Sequence, residues 1–513
     1  MIIKNILNVS FFNFLSKVIG FVRDYYIAFA FGASMQATFI IIALELKNLF
    51  LPIFHNLNFE KNLIYQYYSI KNIELKINFF KNIFFIFTII LMFLTLVFWF
   101  NVDIVFSFLY PGLENNFFQE KKFFLIKASL ICNLLNFVVV YYSSIFQAQK
   151  SFLLNSFLLI FPNLSLFFFL SMNYLFFTNE NFYKYINHFL MVSGILQISI
   201  IIFFKNNLFV KFFFDFSNLK KKIIDFKFFF VLYAPTLFAV ILLKFYQIFE
   251  KFFLSFKEDL IPLFYISQKI AFVPSTIIIA AITTVLMPEF STIKENKNIN
   301  IYLLNISLKF LLIFSLYFTL FFITFADFFI PYVFTNAKYT LLQLGYLIDI
   351  FIKHSLSLIF FSTYSLFYVF LISHSELKYI FRGILYSFIL SFLYMYLIYL
   401  TDSYDYFAFS LLIFYAFQSL YLLLKINFLN DNKLKEELLK SFNFYISLLT
   451  LIIFTIFIHY YDFASFLSIL LTCIIIGLHL FLSLKFNLIK IDEFLYLFKK
   501  IINKLKKKLK IAE

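Results

Sequence analysis

The stretch Leu15-Ser16-Lys17-Val18-Ile19-Gly20-Phe21-Val22-Arg23-Asp24 decides how this chain is read. It lies inside an apolar run, 5–31, that is long enough to cross a bilayer. Yet it carries two cations and a carboxylate. A cation at mid-bilayer depth costs about 2.5–3.5 kcal/mol on insertion scales. Lys17 and Arg23 therefore call for a protein-lined, watered interior. Two cations on one membrane helix point to a polar cavity built for an anion.

The composition agrees. Of 513 residues, 63% are hydrophobic, 24% aromatic and only 14% charged. A soluble domain with that balance would expose a continuous apolar surface, so the chain reads as an all-α, polytopic membrane protein. The 88 Phe beside 7 Gly, 8 Pro and 1 Trp look like codons drifting toward A/T, and many Phe positions then stand for any large apolar residue. The net charge of +16 would suggest nucleic acid in a soluble protein. Here it is explained without nucleic acid, by cytoplasmic loops that collect Lys and Arg. Cys132 and Cys473, far apart in apolar runs, read as small buried hydrophobes with no disulfide framework. The N-terminal run has no small-residue cleavage site and does not read as a cleavable signal peptide.

Apolar segments of spanning length number roughly 14. They run over 5–31, 36–56, 82–108, 123–148, 151–177, 185–204, 228–255, 261–287, 301–330, 340–371, 379–400, 405–424, 441–461 and 463–484. With a cytoplasmic N-terminus, most of the 43 Lys and Arg residues fall in cytoplasmic loops or the C-terminal tail, and the opposite loops hold Lys121, Lys122, Lys184, Lys257 and Lys338. That asymmetry predicts both termini inside. The expected organisation is an N-terminal lobe of six helices (1–206), a cytoplasmic interfacial linker (207–227) and a C-terminal lobe of six helices (228–425). A final helix pair (426–486) and a basic amphipathic cytoplasmic tail (487–513) follow. In the tail, Phe494, Phe498, Ile501, Leu505 and Leu509 recur at helical spacing between lysines, a pattern that suits an anionic leaflet. The polar turns Gln147–Lys150 and Ser373–Lys378 faintly suggest that the two lobes are pseudo-symmetric repeats.

Five cations lie well inside segments: Lys17, Arg23, Lys47, Lys244 and Lys269. Exposed to lipid they would together cost on the order of 12–18 kcal/mol. They must face one another, carboxylates such as Asp24, Glu45 and Glu250, water, or an anionic ligand. Structural ion pairing between helices is one reading, and a cationic central cavity with Ser16 among its polar groups is the other. Lys127, Lys251 and Lys309 sit near segment ends and are expected to snorkel. Pro235 and Pro274 would free backbone carbonyls and let their helices bend around a polar cavity, or kink for packing alone. The six histidines are scattered without metal-ligand spacing, and no glycine-rich phosphate loop is present. The chain thus reads as a transporter with no cofactor, no metal and no catalytic residue.

The run Ser16 to Asp24, followed by Phe31-Gly32-Ala33, resembles the opening of the MurJ/MviN family, lipid II flippases of the multidrug/oligosaccharidyl-lipid/polysaccharide exporter superfamily. Pro111-Gly112, Phe161-Pro162-Asn163-Leu164, Ala234-Pro235, Tyr265 through Pro274, Leu286-Met287-Pro288 and Ser373 to Lys378 extend the likeness in order and spacing. The resemblance implies a flippase that moves the undecaprenyl-pyrophosphate-linked peptidoglycan precursor across the bacterial cytoplasmic membrane for cell-wall synthesis. A basic cavity would take the pyrophosphate head, and a groove reaching the last two helices would take the lipid tail. It also implies membrane lipids, and peptidoglycan-synthesis proteins, as partners. Arg23 stands at a family Arg, while Lys17 and Lys269 stand at family Arg positions with the charge kept and the bidentate fork lost. The family's basic pair in helix two falls on Leu51 and Pro52, and its earlier acidic residue on Thr38. Glu45 and Lys47 lie about a turn away. The same features leave two relatives open: a flippase for another polyprenyl-linked oligosaccharide, or a drug/cation antiporter of the superfamily.

Overall fold

In a computed structural model the described residues are 2–50, 63, 70, 72–113, 116–148, 157–158, 160–176, 188–189, 191–203, 226–257, 259–292, 297–374, 376–430, 432–460 and 465–485. These are helical almost throughout. Every apolar segment read from the sequence carries a helix over its described part. Among the described residues, six helices are individually long and apolar enough to cross a membrane by length and composition. Large apolar side chains stand exposed along them, Phe93 at 65% and Phe100 at 80% among them, which suits a protein solvated by lipid. Cys473 belongs to this exposed set rather than to the core, whereas Cys132 is buried as expected. The interfacial loop and the basic tail lie outside the described residues, apart from the loop's last two positions.

The chain divides into two compact units, one over Lys4–Pro262 and one over Leu263–Glu513 with Met1–Ile3. In the N-terminal unit, α1 (Ile2–Phe31) ends at Gly32, whose φ of 60° lies in the left-handed region that favours glycine. Ser34 then caps α2 (Met35–Leu46), its hydroxyl accepting from the Ala37 amide at 3.4 Å. The run read as one third segment is two helices, α3 (Ile73–Phe100) and α4 (Val102–Leu109), parted at Asn101. That side chain bonds back to Val97 O at 2.7 Å instead of propagating the helix. Lys76 and Lys81, expected in a loop, lie within α3, and Lys81 is buried.

The helix α5 (Asn116–Ala148) packs against α2, α3 and α4. Its Tyr141 donates to Phe80 O at 2.6 Å among the rings of Phe84, Phe137 and Tyr142. The next two helices are α6 (Phe161–Phe176) and α7 (Met191–Phe203). Gln197 of α7 donates to Leu158 O at 2.6 Å. The unit's last long helix, α8 (Phe226–Leu254), packs on α4. Here Pro111-Gly112 has its reason. The Gly112 amide donates to the Ser255 hydroxyl at 3.0 Å, and a Cβ at Gly112 would lie 2.2 Å from Ser255 O.

The second unit runs through α9 (Leu260–Thr292, which starts just before the boundary), α10 (Lys297–Val333), α11 (Leu341–Ser373) and α12 (Leu377–Leu400). It continues through α13 (Phe409–Leu429), the short amphipathic α14 (Lys433–Lys440), α15 (Phe442–Tyr460) and α16 (Ser465–Lys485). The body is built from α10 on α11, α11 on α13 and α12 on α13. The final pair docks through Leu316 and Leu320 of α10 against Phe444, Leu448 and Leu451 of α15. Tyr317 of α10 meets His479 of α16 at 2.8 Å, hydroxyl to Nδ1. Pro235 and Pro274 lie within α8 and α9, and each helix continues past its proline.

Candidate functional site

Arg23 is 8% exposed on α1, and its guanidinium is held on two sides. Nε and one terminal nitrogen donate to the Asp24 carboxylate at 2.8 and 2.6 Å, and the other terminal nitrogen donates to Asn163 Oδ1 of α6 at 2.8 Å. Asn163 in turn donates to the backbone oxygen and hydroxyl of Ser16 at 3.0 and 3.2 Å. Gly20 lies on the α1 face between these two contacts, where a Cβ would sit 3.4 Å from Asn163 Nδ2, an ordinary packing distance. So Ser16, Arg23 and Asp24, singled out in the sequence, do form one cluster, and the residue that organises it is Asn163. Lys17, on the same helix, is exposed.

The second feature is the end of α2. The apolar run 36–56 reads as one helix, but α2 stops at Leu46. The chain tightens there, with Asn48 N bonding to Glu45 O at 3.0 Å and Leu49 N to Leu46 O at 3.1 Å. The bond that a continuing helix would make from Phe50 N to Leu46 O is replaced. Asn133 of α5 accepts from Phe50 N at 3.0 Å and donates to Leu46 O at 2.6 Å. Its carboxamide thus stands inside the helical ladder, one of the recognised causes of a helix break. Asn136, one turn along α5, donates to Lys47 O at 3.1 Å. Lys47 is 7% exposed and within electrostatic reach of Arg23, Asp24 and Cys132. The i, i+3 pair Asn133 and Asn136 in an apolar run was visible in the sequence, but nothing there named its partner.

A third cluster joins α2 to α8. Lys251 lies 3.4 Å from the Glu250 carboxylate and 3.7 Å from that of Glu45. Lys251 was expected to snorkel, yet it is 4% exposed, and Glu250 3%. The two carboxylates at hand offset the cost of burying the ammonium. Beside it is a cavity of about 40 Å³ lined by Glu45, Tyr110, Lys244, Gln247 and Lys251, room for one or two waters and not for a sugar phosphate. Lys244 is half-buried and donates to Gln247 at 2.8 Å.

Lys269 belongs to the other unit, where it is exposed and lies 5.1 Å from the Tyr265 ring centre. Two residues before it, the Ser267 hydroxyl meets His354 Nδ1 at 2.7 Å in the core of that unit. Lys353 pairs with Asp349 and donates to Asp405 O at 2.6 Å. Among the described residues no group of His, Cys, Asp and Glu could hold a metal ion.

Comparison with known proteins supplies the context. The sequence model of a family described as "Lipid II flippase MurJ" matches residues 27–476. The probable lipid II flippase MurJ of Buchnera aphidicola subsp. Baizongia pistaciae (strain Bp) is 34% identical over 177 residues, 33% of this chain and 34% of that protein. The matched stretch thus spans about a third of that curated relative. A solved structure of lipid II flippase MurJ in an inward closed conformation superposes with a TM-score of 0.73 at 17% identity, covering 93% of this chain and 98% of that one. A eukaryotic MATE transporter, AtDTX14, gives 0.54 at 13% identity over 85% and 96%. At these identities the two structures speak for the fold alone.

Proposed function

The chain belongs to the lipid II flippase MurJ family, whose sequence model it matches over residues 27–476, and from that premise we propose that it flips lipid II from the inner to the outer leaflet of the bacterial cytoplasmic membrane. It works by alternating access, as a transporter and not an enzyme. The observation that carries this reading is the buried Arg23 of α1, fixed by Asp24 and Asn163. It is a preorganised guanidinium inside a membrane helix, the group best matched to a pyrophosphate.

Lys17, Lys47, Lys244 and Lys269 are the further cations of the proposed substrate-binding set, and Lys244 stands beside the Glu45 cluster. The head group crosses while the polyprenyl tail stays in lipid. With no ATP motif in the sequence, the drive is the membrane potential, an ion gradient or consumption of the product. Moving one charge through 100 mV supplies about 2.3 kcal/mol.

The test is complementation of a bacterium whose own lipid II flippase can be shut off, with membrane insertion verified for each variant. Growth with the wild type and lysis with Arg23→Ala combined with Lys269→Ala support the proposal. Growth with that double variant overturns the assigned site. A well-inserted wild type that fails to rescue overturns the substrate and favours another polyprenyl-linked oligosaccharide, consistent with Leu51 and Pro52 standing at the family's basic pair.

A further inference from the structure

We propose that Asn133 is a positioning residue for Lys47: by standing in the backbone ladder of the second membrane helix it ends that helix at Lys47 and holds the lysine where it serves the anionic head group. The inference rests on the reading above, in which Lys47 is part of the anion-binding face.

The argument begins with the hydrogen bonds. A helix running on through 36–56 would bond Phe50 N to Leu46 O. In the structure both groups bond Asn133, at 3.0 and 2.6 Å, and Leu46 O also takes the tightened-turn bond from Leu49 N at 3.1 Å. The same amide nitrogen also donates to Ser129 O on its own helix at 3.0 Å, which fixes the carboxamide's orientation. Asn136 satisfies the next carbonyl, Lys47 O, at 3.1 Å, and reaches Asn48 Oδ1 at 3.4 Å. Carbonyls left open by a helix that stops inside the bilayer cost several kcal/mol each if unsatisfied. The two asparagines of α5 therefore satisfy backbone groups that a helix end in an apolar segment leaves open.

The consequence falls on Lys47. It is the residue that closes the last turn, its amide bonded to Ala43 O at 3.1 Å. It thus sits at the negative end of the α2 dipole, where a positive charge is favoured, and it is 7% exposed within electrostatic reach of Arg23. Were the ladder continuous, the helix end and its field would move beyond Lys47. The residue would then be a buried ammonium on the flank of a helix, with the like charge of Arg23 nearby and less to offset it. Asparagine is the side chain that fits this task, because its amide donates and accepts in one plane. Leucine has nearly the same volume and does neither.

The experiment uses the full chain in proteoliposomes, with labelled lipid II as probe. Asn133→Leu is expected to raise the apparent KM about tenfold with a smaller fall in maximal rate, and Asn133→Gln to restore a large part of the loss. In parallel, Lys47→Cys is placed in a chain with Cys132 and Cys473 replaced by Ala, and its reaction with a methanethiosulfonate is timed. Adding Asn133→Leu is expected to change that rate at least fivefold. Should Asn133→Leu insert poorly, Asn133→Asp keeps the volume and the acceptor for Phe50 N but loses the donor to Leu46 O, and must show the same two effects. Unchanged KM together with unchanged labelling overturns the proposal. So does an equal fall in rate at fixed KM without rescue by Gln, which marks a purely structural role. If the wild type does not flip lipid II, the flipping arm is silent for every variant, and the labelling arm alone decides where Lys47 is held.

Discussion

At the scale of single residues, Arg23 separates charge from geometry. Lysine in its place keeps the charge but cannot bond Asp24 twice and Asn163 once from a rigid plane. Arg23→Lys is expected to insert normally and to flip lipid II about tenfold more slowly, a difference of about 1.4 kcal/mol, measured in proteoliposomes beside the wild type. Equal rates would mean that charge alone suffices at this position. Gly112 makes a different point. An Ala Cβ would press on Ser255 O at 2.2 Å and on Phe256 Cα at 2.4 Å, both backbone atoms. Gly112→Ala should therefore cost about 1–3 kcal/mol of stability, read as a lowered midpoint in thermal unfolding of detergent-purified protein. Arg23 was legible in the sequence because a cation in an apolar run has to be explained. Asn133 was not, and Asn163 stood out only as part of a family likeness, because an asparagine in such a run is cheap to bury and their partners lie more than 80 positions away in the chain.

At the scale of helices, hydropathy located the segments but not their interruptions. Pro52 marks a weak point in the 36–56 run, but the bonds that replace the ladder come from another helix: Asn133 takes the Phe50 amide and the Leu46 carbonyl. The division of α3 from α4 at Asn101 is local and could have been read from that residue. The tie between α2 and α8 was missed for a third reason. Lys251 sits near an apolar run's end, where snorkelling is the ordinary expectation, and only its two carboxylate neighbours hold it inside. That tie makes a prediction. Lys251→Met leaves Glu250 buried and without its partner, and should destabilise the protein by about 3–5 kcal/mol. Changing the set together, Lys251→Met with Glu250→Gln and Glu45→Gln, removes the stranded charge and should recover most of the loss. Denaturant unfolding in detergent compares the three. If the triple variant is no better than the single one, the cluster is not held by charge pairing.

At the scale of the whole chain, composition was decisive and topology rests on charge. A membrane protein's loops are oriented by their lysines and arginines, and in this chain the asymmetry is built from many separate loops. That makes it a stringent statement, since one helix too many or too few would invert every loop that follows. The final pair belongs to the same count. It is docked by Phe444, Leu448 and Leu451 on Leu316 and Leu320, and by Tyr317 on His479, so α15 and α16 pack as part of the second unit rather than as a loose appendage. The charge asymmetry predicts both termini inside, which would place the basic stretch around Lys220, Lys221 and Lys222 in the cytoplasm and Lys338, between α10 and α11, outside. Alkaline phosphatase, active only outside the cytoplasm, is therefore expected to be inactive when fused after Lys222, active after Lys338 and inactive after the C-terminal residue. Activity at Lys222 would mean that the N-terminal half is reversed or that an odd number of crossings precedes that point. Activity at the C-terminus with the other two as expected would remove one crossing from the last five segments and leave the Arg23 cluster where it is.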